Sequence, residues 1–268
     1  MIAIGTAGWT IPRAAVAGFP LDGRHLERYA RVMNCVEINS SFHRPHRTAT
    51  YARWVDETPD GFRFAVKLPK TITHGARLRD FDALLDPFVA AIRGLGSKLG
   101  ALLVQLPPSS AFDRAVVTAF FDAMRRRHDG AIVCEPRHAS WFTAEAEEVL
   151  IRHRIARAAA DPASIASAAE PGGWLGDHGD GRDALAYYRW HGSPRMYWSA
   201  YDDAWLRERA EAVGRWPEAC DVWCVFDNTA AGAATADALR FAAMTRERGG
   251  QSRTRLATDL AIAAAPPR

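Results

Sequence analysis

Glu37, Lys67, Glu135, Arg189 and His191 each fall at or just past the end of a short run rich in β-formers. Side chains alternate along a strand. Val36 and Ile38 therefore take one face of the first run, and Cys35, Glu37 and Asn39 take the other. The same period of two puts Lys67, Glu135, Arg189 and His191 on inward faces. Charged residues rarely face a core without partners, because burying an unpaired charge is costly. The acids and cations of this set are expected to meet.

Two carboxylates with a lysine and a histidine can transfer protons if their surroundings separate the pKa values. The same groups can instead form an ion-pair network that only holds the strands together. A metal could draw on Glu37, Glu135, His138, Asp161, His191 and Asp227. Lys67, Arg137 and Arg189 compete for those carboxylates, and no HxH or HExxH spacing occurs. No metal and no other cofactor is expected. A Schiff base at Lys67 needs a depressed pKa. Two nearby glutamates are expected to raise it, which counts against that chemistry. No nucleophile elbow is present, and Gly5-Thr6-Ala7-Gly8 reads as a tight turn.

Other polar residues sit at the same strand ends: Thr6, Asn39, Gln105, Arg137 with His138, Asp161, and Asp227 with Asn228. Arg189, His191, Gly192 and the Asn228–Gly232 stretch follow the last two strands, where barrels of this class often hold phosphate. Helix capping explains Asn228 and Thr229 equally well. Trp9, Phe42, Trp141, Trp190 and Trp198 lie in or beside loops on that side. They can stack on a base or sugar, or simply pack over the rim. The candidate catalytic set is Glu37, Glu135, Lys67 and His191. The candidate ligand-binding set is Thr6, Trp9, Asn39, Gln105, Arg137, His138, Trp141, Arg189, Asp227 and Asn228.

The elements that must position them alternate. Strands are expected at 2–5, from 36, and at 62–66, 101–104, 131–134, 155–160, 185–188 and 222–226. Between them run apolar stripes at helical spacing, such as Leu26, Tyr29, Ala30 and Met33, or Val116, Val117, Phe120, Phe121 and Met124. Asp82, Asp113 and Thr143 are expected to cap helices, and Asp203 to open one. Residues 164–183 read as a long loop. Alternation implies parallel strands with right-handed crossovers. Eight strands in 268 residues favour one α/β domain over 1–260, a single (β/α)₈ TIM-like barrel, with a flexible tail at 261–268.

The net charge of +3 and a pI near 8.8 fall short of a dedicated nucleic-acid binder. The basic run Arg125-Arg126-Arg127-His128 reads as a solvated helix end. Cys35, Cys134, Cys220 and Cys224 make no CxxC pair and are expected to be free core thiols in a reducing compartment. No signal peptide or membrane span is expected, which points to the cytoplasm. An anionic small molecule is the expected partner, with nucleic acid less favoured. The oligomeric state is not legible.

Gly5-Thr6-Ala7-Gly8-Trp9, Val36-Glu37-Ile38-Asn39-Ser40-Ser41-Phe42, Phe62–Lys67, Gln105-Leu106-Pro107-Pro108, Glu135–Trp141 and Arg189-Trp190-His191-Gly192 together resemble the YecE-like family of uncharacterised proteins. The resemblance runs along nearly the whole chain, in order. It implies a TIM-barrel-like fold similar to the endonuclease IV and xylose isomerase barrels, and it supplies no function. By that analogy alone, nucleic-acid binding or phosphodiester processing is the alternative to small-anion chemistry. A non-catalytic binding protein is a third. His43 stands where the family usually has tyrosine, and Asp227-Asn228 where a pair of asparagines is common.

Overall fold

Successive residues along the strands face opposite sides, and the two faces form separate cores. One core holds Ala3, Cys35, Ala65, Ala101, Leu103, Val133, Ala156, Leu185, Tyr187, Trp223 and Val225. The other, much larger, holds the alternate residues such as Val36, Phe64, Val66, Leu102, Ile132 and Phe226, together with the helices. The computed structural model describes residues 1–176 and 184–246.

Its strands are β1 (Ile2–Thr6), β2 (Cys35–Ile38), β3 (Arg63–Lys67), β4 (Leu99–Gln105), β5 (Ile132–Glu135), β6 (Ile155–Arg157), β7 (Ala159–Asp161), β8 (Gly172–Gly173), β9 (Leu185–Trp190) and β10 (Asp221–Phe226). They form a four-stranded sheet, β1-β10-β9-β7, and a six-stranded sheet, β2-β3-β4-β5-β6-β8. Every pairing is parallel except β6 with β8. The fold is α/β with parallel-rich sheets.

The single strand expected over 155–160 is two. β6 pairs with β5 and β7 with β9, and between them the Ala158 amide donates to the Cys134 carbonyl. An isolated parallel bridge links Ala7 to Glu37. Beside it β1 comes unusually close to β2: a Cβ at Gly5 would lie 2.1 Å from the Cys35 carbonyl oxygen. Only glycine permits that approach.

The helices are α1 (His25–Ala30), α2 (Ser40–His43), α3 (Thr48–Asp56), α4 (Asp82–Ile92), α5 (Arg114–Arg127), α6 (Ala144–Arg152) and α7 (Asp203–Val213), with a further helical stretch over 233–246. All but the short α2 bury apolar residues in the larger core, as Val117, Phe120, Phe121 and Met124 do for α5. Asp113 caps α5 by accepting from the Ala115 and Val116 amides, and Thr143 caps α6 through the Ala146 amide. Asp82 does not cap α4. It is the first helical residue, after Phe81, and its carboxylate meets Arg127 at 2.7 Å instead. The cap of α7 is Asp202, one residue before the aspartate expected to open the helix.

Within the stretch read as a long loop, 166–169 form a 3₁₀ turn and Gly172–Gly173 the short β8. Residues 177–183 of that stretch, and the tail over 261–268, lie outside the described residues. All four cysteines are buried and free. Among the described residues no helix is long and apolar enough to cross a membrane.

Candidate functional site

The inward faces of β2, β5 and β9 carry uncharged residues, Cys35, Val133, Leu185 and Tyr187, and then end in a charge. Arg189 ends this series on β9 and is fully buried. Its Nε and Nη2 donate to the two oxygens of Glu37 (2.9 and 2.7 Å), in a bidentate grip. Nη1 donates to Glu135 Oε2 (2.5 Å), and Nη2 also reaches Asp227 Oδ2 (2.9 Å). One guanidinium thus holds three carboxylates brought by β2, β5 and the end of β10. Tyr187, two residues earlier on the same face, donates its hydroxyl to Glu37 Oε2 (2.9 Å).

His191 closes a second ring. Its Nδ1 lies 3.0 Å from Asp227 Oδ2 and its Nε2 lies 2.9 Å from Glu135 Oε1. Arg137 donates to the same Glu135 oxygen (3.0 Å from Nη2), and its Nη1 donates to the Tyr197 hydroxyl (2.9 Å). Tyr197 holds that position with a left-handed backbone, φ +67°, a strained state for a non-glycine residue.

Burial works against charge throughout this cluster, and the partners decide the outcome. At Glu135 burial is outweighed by Arg189, Arg137 and His191, which hold the carboxyl well below the usual range. Asp227 is lowered too, with Arg189 and His191 overcoming its burial. Arg189 is raised well above its ordinary value, because Glu135, Glu37 and Asp227 outweigh its burial. Burial and the Glu37 charge push the Tyr187 hydroxyl up, so it remains a donor.

Lys67 is different. It ends β3 on the same inward face, yet its ammonium makes no ion pair among the described residues. It lies 4.2 Å above the Phe42 ring. Burial, aided by the like charge of Arg189, lowers its pKa to about 8, against the pull of Glu37, Glu135 and Asp227. The expectation that two glutamates would raise this pKa is therefore overturned: the glutamate charges are already matched by Arg189, and desolvation dominates. His74 meets Phe42 edge to face, with ring centres 5.0 Å apart. Its pKa is lowered by burial, then by Lys67 and Arg137. Phe42, Lys67, His74, Arg137 and Tyr197 thus form one chain of neighbours at the strand ends.

The remaining candidates are scattered. The Asn39 side-chain oxygen is buried with no partner among the described residues. Gln105 donates to the Leu106 carbonyl. Asn228 ties the Ser199 carbonyl to Asp237, leaving its own buried oxygen without a partner. The other four are engaged elsewhere. Thr6 turns to the Tyr29 hydroxyl and the Gly8 carbonyl. His138 Nδ1 accepts from the Ser140 amide. Trp141 is buried against Phe112, with its indole N–H on the Ser110 carbonyl. Trp9 packs edge-on against Trp54. Among the described residues no group of three or more His, Cys, Asp or Glu is arranged to hold a metal ion. The carboxylates converge, but a guanidinium fills the space between them.

Sequence reasoning missed Tyr187, His74 and Tyr197. The parity shared with Arg189 could have found Tyr187. Nothing local marks the other two, which sit in a π turn (Thr71–Gly75) and in the loop after β9.

The family model for "Protein of unknown function DUF72" matches residues 3–260, and the chain belongs to that family. The YecE-like resemblance is borne out by a curated relative, UPF0759 protein YecE of Escherichia coli K12. That protein is 32% identical over 149 residues, 55% of this chain and 53% of the relative. UPF0759 protein YunF of Bacillus subtilis 168 is 28% identical over 151 residues, 53% of each. This chain spans about half the length of these curated relatives. Among solved structures, a DUF72 family protein of Thermotoga maritima MSB8 superposes with a TM-score of 0.73 at 24% identity, covering 92% of this chain and 99% of that one. One from Enterococcus faecalis V583 gives 0.72 at 19% identity, covering 92% and 96%. Both share the fold.

Proposed function

We propose that the chain is a single domain whose two sheets close into one eight-stranded TIM-like barrel, and that it binds a small anion at the strand C-termini. The continuity of β6 and β7 through Ala158 and the bridge from Ala7 to Glu37 support closure. The four buried thiols fit a reducing compartment such as the cytoplasm.

One observation carries the binding role: Lys67 is a half-buried cation with no ion pair among the described residues, beside a network in which Glu37, Glu135 and Asp227 each already pair with Arg189. A phosphate or carboxylate entering over Phe42 would meet Lys67 and the outer edge of Arg137. The orphan oxygen of Asn39 would accept from a hydroxyl on the same ligand. Arg189 has too few donors left for ligand and serves as the scaffold. Arg189 grips Glu37 with two hydrogen bonds, and Arg189, Arg137 and His191 hold Glu135 well below the usual carboxylate range, so both acids orient rather than shuttle. Lys67, whose pKa is lowered to about 8, is the group to accept a proton from bound substrate. Turnover is the favoured reading and a non-catalytic receptor the lesser one.

Phosphate and citrate should raise the melting temperature of the parent protein. The gain should be about 1.4 kcal/mol at ten times Kd, and lost in Lys67→Met. Equal stabilisation of parent and mutant would remove Lys67 from the site. Tight DNA binding that weakens steeply with salt would replace this reading with nucleic-acid recognition.

A further inference from the structure

The chain uses lysine very sparingly. Of its 34 lysines and arginines only three are lysines, Lys67, Lys70 and Lys98. Lys98 is buried and structural: its ammonium donates to the Val55 carbonyl (2.8 Å) and to the Thr58 carbonyl (2.6 Å) at the end of α3. Lys70 is exposed. Lys67 alone points inward at a strand end, in a chain that elsewhere places arginine where it needs positive charge.

An arginine at 67 would serve simple anion binding as well or better, since its fork grips phosphate and carboxylate with two bonds. What arginine cannot do is lose its proton and attack carbon. We infer that Lys67 forms a reversible imine with the carbonyl carbon of a small oxo compound that also carries a carboxylate or phosphate. This rests on the anion-binding reading of the same residues and names its substrate class.

The surroundings suit an amine nucleophile. No carboxylate pairs with Nζ among the described residues, and Nζ stands over the Phe42 ring face, 4.2 Å from its centre. The charged and titratable groups facing it are Glu37 from β2, His74 from the turn after β3, Glu135 from β5, Arg189 from β9 and Asp227 after β10. Arg137, which also faces His74, remains to hold the substrate's anionic group. At pH 7 a lysine titrating near 8 is neutral ~10²-fold more often than an ordinary one.

The step balances without a further reactant. The amine lone pair forms the C–N bond as the carbonyl π pair moves to oxygen, and a proton passes from nitrogen to that oxygen. The hydroxyl then leaves with a second proton as water, and the C=N bond forms. Net, one water is released. Borohydride adds hydride to the imine carbon and solvent supplies the proton to nitrogen, fixing a secondary amine.

The test uses the full chain with pyruvate and dihydroxyacetone phosphate as carbonyl probes, and lactate and glycerol 3-phosphate as their non-carbonyl counterparts. Peptide mapping after borohydride should find the adduct on Lys67, at least ~10-fold above Lys70, and none at that position in Lys67→Arg. Mapping the parent protein decides the site even if the variant folds poorly. Stabilisation by lactate or glycerol 3-phosphate, with no carbonyl adduct on Lys67, overturns the imine and leaves anion binding intact. Neither stabilisation nor adduct removes both. Equal labelling of Lys67 and Lys70 also overturns the inference, since it marks ordinary surface reactivity.

Discussion

Arg189→Ala is expected to cost about 3–5 kcal/mol of folding stability, the penalty for stranding buried charge. Arg189 is the hub of the cluster, with four hydrogen bonds to Glu37, Glu135 and Asp227. Glu37 and Glu135 are fully buried, so water cannot replace the lost guanidinium. Arg189→Lys should recover part of the loss, because one ammonium cannot copy the fork that spans three acids. Urea melts of the three proteins measure this. An unchanged midpoint in Arg189→Ala, with phosphate stabilisation lost, would instead make Arg189 a ligand-binding group.

Acid should unfold the parent through the same cluster, and Glu135→Gln should change the shape of that response. Glu135 and Asp227 titrate lower in the folded state than in the unfolded chain. The unfolded state therefore binds more protons below pH of about 4, and stability falls as pH drops. Above that pH the contribution is fully present. As pH falls through the folded values it is lost, at about 1.4 kcal/mol per pH unit for each proton taken up. Glu135→Gln removes one such proton. It should be less stable at pH 7 and show a shallower decline between pH 4 and 2. Parallel stability curves for parent and mutant would mean that Glu135 is not held ionised by its neighbours.

The inward positions of Glu37, Lys67, Glu135 and Arg189 were legible because strand parity is a local property, independent of what lies opposite. Helix caps with a single candidate, Asp113 and Thr143, were legible for the same reason. Asp82 was not, since its carboxylate is drawn to Arg127 on a neighbouring helix. The break at Ala158 was hidden because both halves are apolar, and only pairing to different neighbours distinguishes them. Which cation the acids would choose is also a tertiary matter. Arg189 took all three, so Lys67 was left in a desolvated position whose pKa moves opposite to the expectation from charge alone. Trp9 and Trp141 look identical in sequence to ligand-stacking rim residues, yet Trp9 packs edge-on against Trp54 and Trp141 is buried against Phe112. Tyr197 enters from a loop whose course no periodicity encodes.

The central claim is that Lys67, a desolvated amine with no ion pair among the described residues, awaits an anion. Competitive labelling of its amine across pH, read by mass spectrometry, tests this most directly. The account predicts a midpoint near 8 for the free protein. With saturating phosphate or citrate the midpoint should rise, because a nearby negative charge favours the ammonium. A midpoint near 10.4, the value for an ordinary lysine, and unmoved by either anion, would contradict it.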